Sequence, residues 1–454
     1  MSARSCRTAI RLALCVIFFV PASLVSQTHQ QDDAAPLLTL NQAIEMALSE
    51  NRSLKIAALE VENSREQVSL TRIKRLPEWK SYVFASQLLT TTDFKFPAGA
   101  FGTFPGIGPI PATNKSVTTP RVFNVYIFNQ VTQPLSQLYK IHLSLRANEL
   151  GLGITREKLR GERHSVVDNV KQAYYAVLQS ESSIEAAESM LKHYQELDRV
   201  LLKRVSQEAS LKSDSLQVKA KLAQEQYTLV QLRNAWQSRK EDLNDLLGRD
   251  IRTRFRAEEV PALSPVKMDL AAAQSLALAQ RPEIKQAELT ERQAGYNRRL
   301  AKAEYIPDVD LGFQYASNFN VNVLPQNVVA LGFALNYQPF DWGKRKHEIS
   351  QKQIAVEEAH TQLQDTQSKV LLDVNNRFRK LQETRSMLEA AQVEQDWSRE
   401  KLRDLTRQFE QEVVLLSDVL QGQAMVAKSN DDYAQALLSF WTAKADFEKS
   451  LGGD

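Results

Sequence analysis

Cysteine is almost absent from this chain. Of its 454 residues only Cys6 and Cys15 carry a thiol, and both lie within the first fifteen positions. The rest of the sequence therefore has no disulfide cross-link and no cysteine-ligated metal site. Packing and hydrogen bonds alone must hold it together.

An excess of charge of one sign and long apolar runs are also missing. The 57 lysines and arginines nearly balance the 54 aspartates and glutamates, and three of the basic residues are Arg4, Arg7 and Arg11. A balanced chain offers no electrostatic reason to bind nucleic acid. No later stretch approaches 18 consecutive apolar residues, which excludes a transmembrane helix.

The first residues follow the order of an export signal. The three early arginines precede the short apolar run 12–20, which is followed by Pro21-Ala22-Ser23. This order predicts a signal peptide over residues 1–26, and the apolar run is too short to span a bilayer. Cys15 lies inside that run and follows the bulky Leu14, which argues against lipidation.

Glycine and proline are absent from two long segments, 162–247 and 344–421. Such runs, rich in Gln, Glu, Lys, Arg, Ala and Leu, predict long helices. Apolar residues recur at a 3/4 spacing, as in Val166, Val170 and Val177, which indicates a coiled-coil seam. The seam loses phase near 205–212 and 410–416, so each run is predicted to fold back as a hairpin, with Ser213 and Ser417 as N-caps.

Most of the chain is written twice. Residues 40–79 recur at 270–309, an offset of 230, whereas Ser213-Asp214-x-Leu216-Gln217 recurs 204 positions later as Ser417-Asp418-x-Leu420-Gln421. The smaller second offset means that the first copy carries about 26 extra residues, which we assign to the Pro/Gly-rich segment Phe94–Pro120. The repeat is too long for a solenoid and predicts two homologous halves of one body.

Short stretches between the helical runs alternate apolar with small or polar residues. They lie at 79–90, 122–131, 309–316 and 329–337, and each is close to the length of a tilted membrane-spanning strand. Aromatic residues in or beside them are the predicted membrane-interface residues. These are Trp79, Tyr126, Tyr315, Tyr337 and Trp342.

The predicted order of segments repeats in each half. After the signal peptide come an N-terminal segment with the first helix pair (27–78), a first strand pair (79–133) with an external loop (91–121), and the first long hairpin (134–248). A linker (249–267) leads to the second helix pair (268–307), the second strand pair (308–338) and the second long hairpin (339–454). Four strands cannot close a barrel, and open sheet edges in lipid leave backbone groups unsatisfied, so several chains must pool their strands.

The segment Gln338–Arg345, the paired Ser-Asp blocks, residues 38–48 and the duplication together resemble the outer-membrane efflux proteins typified by TolC. The resemblance implies a mainly α protein with a small transmembrane β part. Each duplicated protomer would have four β-strands and long coiled-coil helical hairpins, and three would form a β-barrel and an α-barrel. It further implies a homotrimer in the outer membrane that reaches into the periplasm, without a cofactor.

The implied function is that of a passive exit duct. In this family the duct is recruited by a periplasmic adaptor (a membrane fusion protein) and an inner-membrane transporter, and it contacts outer-membrane lipid. Type I protein secretion uses the same component and stays an alternative. A non-porous periplasmic coiled-coil scaffold is the rival from a different class, although a scaffold needs no lipid-facing strands.

Acidic residues near the two hairpin ends are the candidate aperture residues. Asp418 and Asp214 match the family's aspartate, while Glu208 and Glu412 replace its usual tip glycine. They either attract cations at the aperture or are ordinary solvated acids, Asp214 and Asp418 near a helix N-terminus. The family's Tyr and Arg latch positions are occupied by Phe409 and Val414, so a gate held by those hydrogen bonds is not expected.

Enzymatic signatures are missing. The six histidines show no metal-ligand spacing, and no phosphate-binding loop or nucleophile elbow occurs. We therefore expect no catalytic site and no bound metal. Two interpretations of the external loop stay open: Phe96, Phe101 and Phe104 constrict the exit, or they decorate the surface.

Overall fold

The computed structural model describes residues 36–91, 93–118, 121–207, 212–260, 269–320, 325–411 and 413–453. The predicted signal peptide lies outside them. The helices are α1 (Leu40–Glu50), α2 (Arg52–Ile73), α3 (Gln137–Ser206), α4 (Lys212–Leu246), α5 (Leu270–Gln280), α6 (Pro282–Ala303), α7 (Lys344–Glu410) and α8 (Leu416–Leu451). The strands are β1 (Leu37–Leu38), β2 (Glu78–Gln87), β3 (Asp93–Phe96), β4 (Thr103–Phe104), β5 (Gly108–Pro109), β6 (Lys115–Thr118), β7 (Phe123–Pro134), β8 (Arg256–Ala257), β9 (Asp308–Phe319) and β10 (Asn327–Asn336).

Four of the strands form one antiparallel sheet in the order β10-β9-β7-β2. Each half of the duplication supplies a two-stranded hairpin, and β7 pairs with β9 to join the halves. In the described residues, β2 and β10 each have one edge without a partner strand. The fold-class prediction of four strands and long helical hairpins is confirmed.

The helices α3 and α7 have 70 and 67 residues and are about 105 and 100 Å long at 1.5 Å per residue. The helix α3 begins well before the glycine-free run and includes Gly151, Gly153 and Gly161. These glycines face α6, since a Cβ on Gly151 would lie 3.1 Å from the Gln293 amide and one on Gly153 would lie 3.2 Å from Leu289. The absence of side chains lets the two helices approach closely.

The helices form two layers. In the layer next to the sheet the packing order is α2-α3-α6-α7, and in the layer that carries the hairpin ends it is α4-α3-α8-α7. Only α3 and α7 run through both layers. The C-terminus of α4 abuts the N-terminus of α2, where the Asn51 side chain donates to the Leu246 carbonyl at 2.8 Å.

Left-handed glycines end α4 and α8. Gly248 and Gly452 both have φ 73°, the backbone conformation that suits a helix C-terminus. A Cβ on Gly248 would lie 2.5 Å from the Glu50 carbonyl oxygen, and one on Gly452 would lie 2.9 Å from the Arg281 backbone. Each glycine therefore allows a long hairpin to dock against the short helix pair of its own half.

The duplication also appears in the cores. One cluster includes Ala43, Val166 and Val170, and the other includes their counterparts Ala273, Val370 and Val374. The two clusters lie around the junction of the layers, where the short helices α1 and α5 pack. The packing of these apolar faces supplies most of the stabilisation.

Beside the first core, β1 and β8 form a short parallel pair. The buried Tyr174 hydroxyl donates to the carbonyl of Leu38 at 2.8 Å and accepts from the backbone N–H of Glu258 at 2.7 Å. This residue of α3 therefore ties both strands to the long helix. Burial raises the pKa of Tyr174 to about 12.

Candidate functional site

The turn between α7 and α8 forms the end of the second long hairpin. Its exposed side chains include Val413 and Leu415. No described residue from Phe409 to Asp418 has a positive φ. This agrees with the absence of glycine from this part of the sequence.

Asp418 has a structural role at this turn. Its carboxylate accepts a hydrogen bond from the Leu415 backbone N–H at 2.9 Å, and its own N–H donates to the Leu415 carbonyl at 3.0 Å. The N-cap is thus Leu415, and the prediction of Ser417 as the cap is wrong because the reach of Asp418 satisfies the turn instead. Ser213 likewise lies inside α4, which already begins at Lys212.

The other predicted aperture acids are less fully described. Glu208 and Glu412 lie outside the described residues, and only the backbone of Asp214 is described, within α4. Asp418 is half-buried and next to the turn. The acidic aperture therefore stays a prediction that rests on one positioned carboxylate.

The latch positions agree with the absence of a polar gate in this chain. Phe409 is exposed and Val414 is half-buried. Two nearby arginines pair with acids on their own helix, Arg403 with Glu400 at 2.8 Å and Arg407 at 3.7 Å from Asp404. These local pairs keep both guanidinium groups along α7.

The four-stranded sheet has two chemically different faces. The register places Val309, Leu311 and Phe313 opposite Leu335, Phe333 and Leu331. We call this side of the sheet the apolar face; it also carries Val329 and Tyr315 of this hairpin and Trp79, Val83, Ile127 and Val131 of the first. The opposite side, the polar face, carries Gly312, Gln314, Gly332, Ala330, Ala334, Gln130 and Thr132.

The predicted interface aromatics divide between these faces. Trp79 and Tyr315 lie on the apolar face, and Tyr337 directly follows β10. Tyr126 lies on the polar face, 6.4 Å from the Phe84 ring centroid. Because side chains alternate along a strand, the position of Tyr126 disagrees with its predicted contact with lipid.

The turn between β10 and α7 presents two exposed rings. Trp342 is 89% exposed, and its φ of 57° is unusual for a bulky residue. The Asp341 carboxylate holds this conformation by accepting from the backbone N–H of Gly343 at 3.0 Å and of Arg345 at 3.2 Å. The Trp342 ring packs edge-on against Phe340 at 4.8 Å between centroids.

The external segment of the first half is a small β-structure. The strand β3 pairs with β6, and β4 pairs with β5. Phe96 and Phe101 stack at 5.3 Å, while Phe101 and Phe104 are exposed. Both interpretations of this loop remain open.

Sequence reasoning missed a polar network where α3, α7 and α8 meet. The carboxylate of Asp168, only 4% exposed, accepts from the Lys449 ammonium at 3.1 Å and from Gln172 at 3.1 Å. Gln172 also donates to Asp446, which pairs with Arg377 at 3.0 Å. Burial and the neighbouring Asp168 raise the pKa of Asp446. These residues occur at ordinary helical spacing, so the sequence carries no signal for the network.

Two further searches concern the described residues only. Within them, no helix is both long enough and apolar enough to cross a membrane. Likewise, no three His, Cys, Asp or Glu side chains of the described part of the chain gather as a metal site would require.

The comparisons with known proteins agree with this geometry. A family model described as outer membrane efflux protein matches residues 43–249 and 273–453. The two matched stretches correspond to the two copies in the sequence. No curated protein matches the chain.

Solved outer-membrane channels share the fold. The Campylobacter jejuni CmeC channel has a TM-score of 0.76 at 16% identity, with 91% of this chain and 85% of that chain covered. Vibrio cholerae VceC has a TM-score of 0.71 at 16% identity, with 91% and 96% covered. The open Neisseria gonorrhoeae MtrE channel has a TM-score of 0.70 at 18% identity, with 91% and 89% covered.

The matched family and these structures are channel proteins rather than enzymes. The family match includes both copies and most of the chain, from the first short helix to the end of α8. The chain belongs to the outer membrane efflux protein family, as a TolC-like protein of the cell outer membrane that extends into the periplasm.

Proposed function

We propose that three copies of this chain close into one continuous tube, the passive exit duct of a tripartite efflux system. A periplasmic adaptor would hold the tube against an inner-membrane transporter, which supplies the energy. The single observation that carries the proposal is that the chain has two different open flanks along its whole length.

The two flanks follow from the order of the elements. One flank consists of β10 and α7, and the other consists of β2, α2 and α4. When the flank of one copy meets the different flank of the next, the contact is head-to-tail, and such contacts form a ring if the rotation closes. The same copies would then complete the sheet and the helical layers together.

The sheet supports a lipid environment. Its apolar face is largely exposed in a single chain, with Leu331 and Phe333 among the most exposed residues. Unpaired strand edges are very unfavourable in lipid, so β2 of one copy must pair with β10 of the next. The polar face would then line the interior of the barrel.

The trimer can be tested by extraction from the outer membrane. We expect a detergent-solubilised species that migrates as a trimer without heating and as a monomer after boiling, and that forms pores in a planar bilayer. A soluble, monodisperse monomer in the periplasmic fraction would instead support the non-porous scaffold. N-terminal sequencing of the mature protein tests the proposed removal of residues 1–26.

The cargo needs a separate experiment, because small-molecule efflux and type I protein secretion use the same kind of duct. We propose small-molecule efflux. Deletion of the gene should raise the intracellular accumulation of a fluorescent efflux dye, and expression of the chain should restore its export. Normal dye export together with loss of a secreted protein from the medium would favour the secretion alternative.

A further inference from the structure

The contact between α3 and α8 joins the two halves within one chain. The Ser182 hydroxyl donates to the Asp431 carboxylate at 3.1 Å, and the Gln435 amide lies 3.5 Å from the Ser183 hydroxyl. Further along, the Asp168–Lys449 pair continues the same contact. We call this contact the internal seam.

The duplication supplies a counterpart for each side of the internal seam. An offset of 204 residues carries α3 onto α7 and α8 onto α4, as the matched cores already show. The seam residues of α3, Ser182 and Ser183, become Ser386 and Met387 of α7. The seam residues of α8, Asp431 and Gln435, become Tyr227 and Gln231 of α4.

Burial shows that these counterparts lack a neighbour within the chain. On α8, Asp431 and Gln435 are half-buried, whereas Tyr227 and Gln231 on α4 are exposed. On α3, Asp168 is 4% exposed, whereas its counterpart Leu372 on α7 is 61% exposed. The same positions are thus covered in one copy of the duplication and uncovered in the other.

The uncovered positions are more apolar than the internal seam. Leu372 and Met387 of α7 replace Asp168 and Ser183, and on α4 Tyr227 replaces Asp431. Exposed side chains of this kind favour burial against another protein surface. The internal seam, in contrast, depends on charged and hydrogen-bonded pairs.

We infer that a second copy of this chain covers α4 with its α7, in the register of the internal seam. Ser386 and Met387 of one copy then meet Tyr227 and Gln231 of the partner subunit. The inference rests on the proposed ring and adds to it the residues that touch. The internal seam is the observation that specifies both the occupant and the register.

Cysteine cross-linking tests this register, because residues after Cys15 include no cysteine. The test variant combines Ser386→Cys with Tyr227→Cys in the full chain, expressed in the outer membrane and oxidised mildly. We expect covalent dimers and trimers on non-reducing gels that a reductant returns to monomer. The matched control combines Ser182→Cys with Asp431→Cys and should cross-link within one chain only.

Two further variants make the outcome decisive. The pair Val393→Cys with Tyr227→Cys shifts α7 by two turns, about 10 Å at 1.5 Å per residue, and should give far less cross-linked product. If oxidation of the first pair disturbs assembly, Met387→Cys with Gln231→Cys tests the same register one residue away. More product from the shifted pair than from both of these pairs overturns the inference.

An amine-reactive cross-linker separates this inference from the proposed function. Multimers with that reagent but none with either in-register cysteine pair would reject the register and leave the ring intact. Monomer with both chemistries would reject the ring as well. Multimers with both reagents, with the in-register pairs favoured, support both proposals.

Discussion

At the scale of single residues, Tyr174 joins three elements with one hydroxyl. It bridges β1, β8 and α3 through the Leu38 carbonyl and the Glu258 N–H. The change Tyr174→Phe leaves both backbone groups without that partner and should lower the free energy of unfolding by about 1–3 kcal/mol. Thermal unfolding in detergent measures this loss, and an unchanged unfolding temperature would contradict the bridging role.

The same hydroxyl predicts a dependence on alkaline pH. The pKa of Tyr174 is about 12 in the folded protein and 10.0 without its surroundings, so the folded state holds the proton more tightly. Stability from this group is complete below pH 10 and is lost as the pH rises towards 12. Denaturant midpoints between pH 9 and 12 should fall less steeply for Tyr174→Phe than for the natural chain.

Asp418 combines a cap with a charge, and substitutions separate the two. Asp418→Asn keeps an acceptor for the Leu415 N–H but removes the charge, whereas Asp418→Ala removes both. We expect both variants to reduce cation preference in planar-bilayer reversal potentials. Only the alanine variant should also destabilise the start of α8, by about 0.5–2 kcal/mol.

The double variant Glu412→Gln with Asp418→Asn tests the acidic aperture more strongly. It removes two candidate carboxylates from each chain and keeps the cap acceptor. Cation preference should fall further than with Asp418→Asn alone. An unchanged reversal potential would reject an electrostatic role of these acids.

At the scale of elements, the glycine ends of the hairpins are sensitive positions. Gly248→Ala places a Cβ 2.5 Å from the Glu50 carbonyl oxygen, on a backbone with φ 73°. We expect destabilisation of more than about 1 kcal/mol, since strain and the clash add. Gly295→Ala is the matched control, because it lies inside α6 with no atom within 4 Å and should stabilise by about 0.5–1 kcal/mol.

Element type followed from the sequence more readily than element limits. The alternation at Val309–Tyr315 and the glycine-free runs identified strands and long helices, because burial on one face imposes a period. The early part of α3 was missed, since Gly151, Gly153 and Gly161 argue locally against a helix. Their reason is tertiary: α6 packs against them, and no local pattern shows a neighbour 130 or more residues away.

The candidate sites show the same division. Asp418 was identified from the repeated Ser-Asp block, but its bond to the Leu415 N–H depends on the actual turn. Tyr126 was grouped with Trp79 by composition, although the strand register puts them on opposite faces. The Asp168–Lys449 network escaped notice, because its partners are far apart in the sequence and come together only when the halves pack.

At the scale of the whole molecule, the two faces of the sheet should differ in tolerance to charge. Leu331→Arg puts a charge on the apolar face in β10, which costs about 2–4 kcal/mol near a bilayer midplane. The amount of heat-modifiable trimer should fall. The neighbouring change Ala330→Arg lies on the polar face and should leave assembly intact while it alters conductance.

The reverse result would contradict this assignment of the faces. If Ala330→Arg prevented assembly and Leu331→Arg did not, the apolar face would have to lie inside the tube. The gel measurement and the bilayer measurement are independent. Together they distinguish a loss of assembly from a change in permeation.

The stacking of α4 upon α2 has a mechanical consequence. A cylinder built from these copies would contain three unbroken struts of α7 and three of α3, beside others that are jointed at the height of Asn51 and Arg281. Flexing of the long rods relative to the membrane end would concentrate at those joints. Compliance in such a cylinder would then be located at its waist, where Gly248 and Gly452 allow the segments to meet.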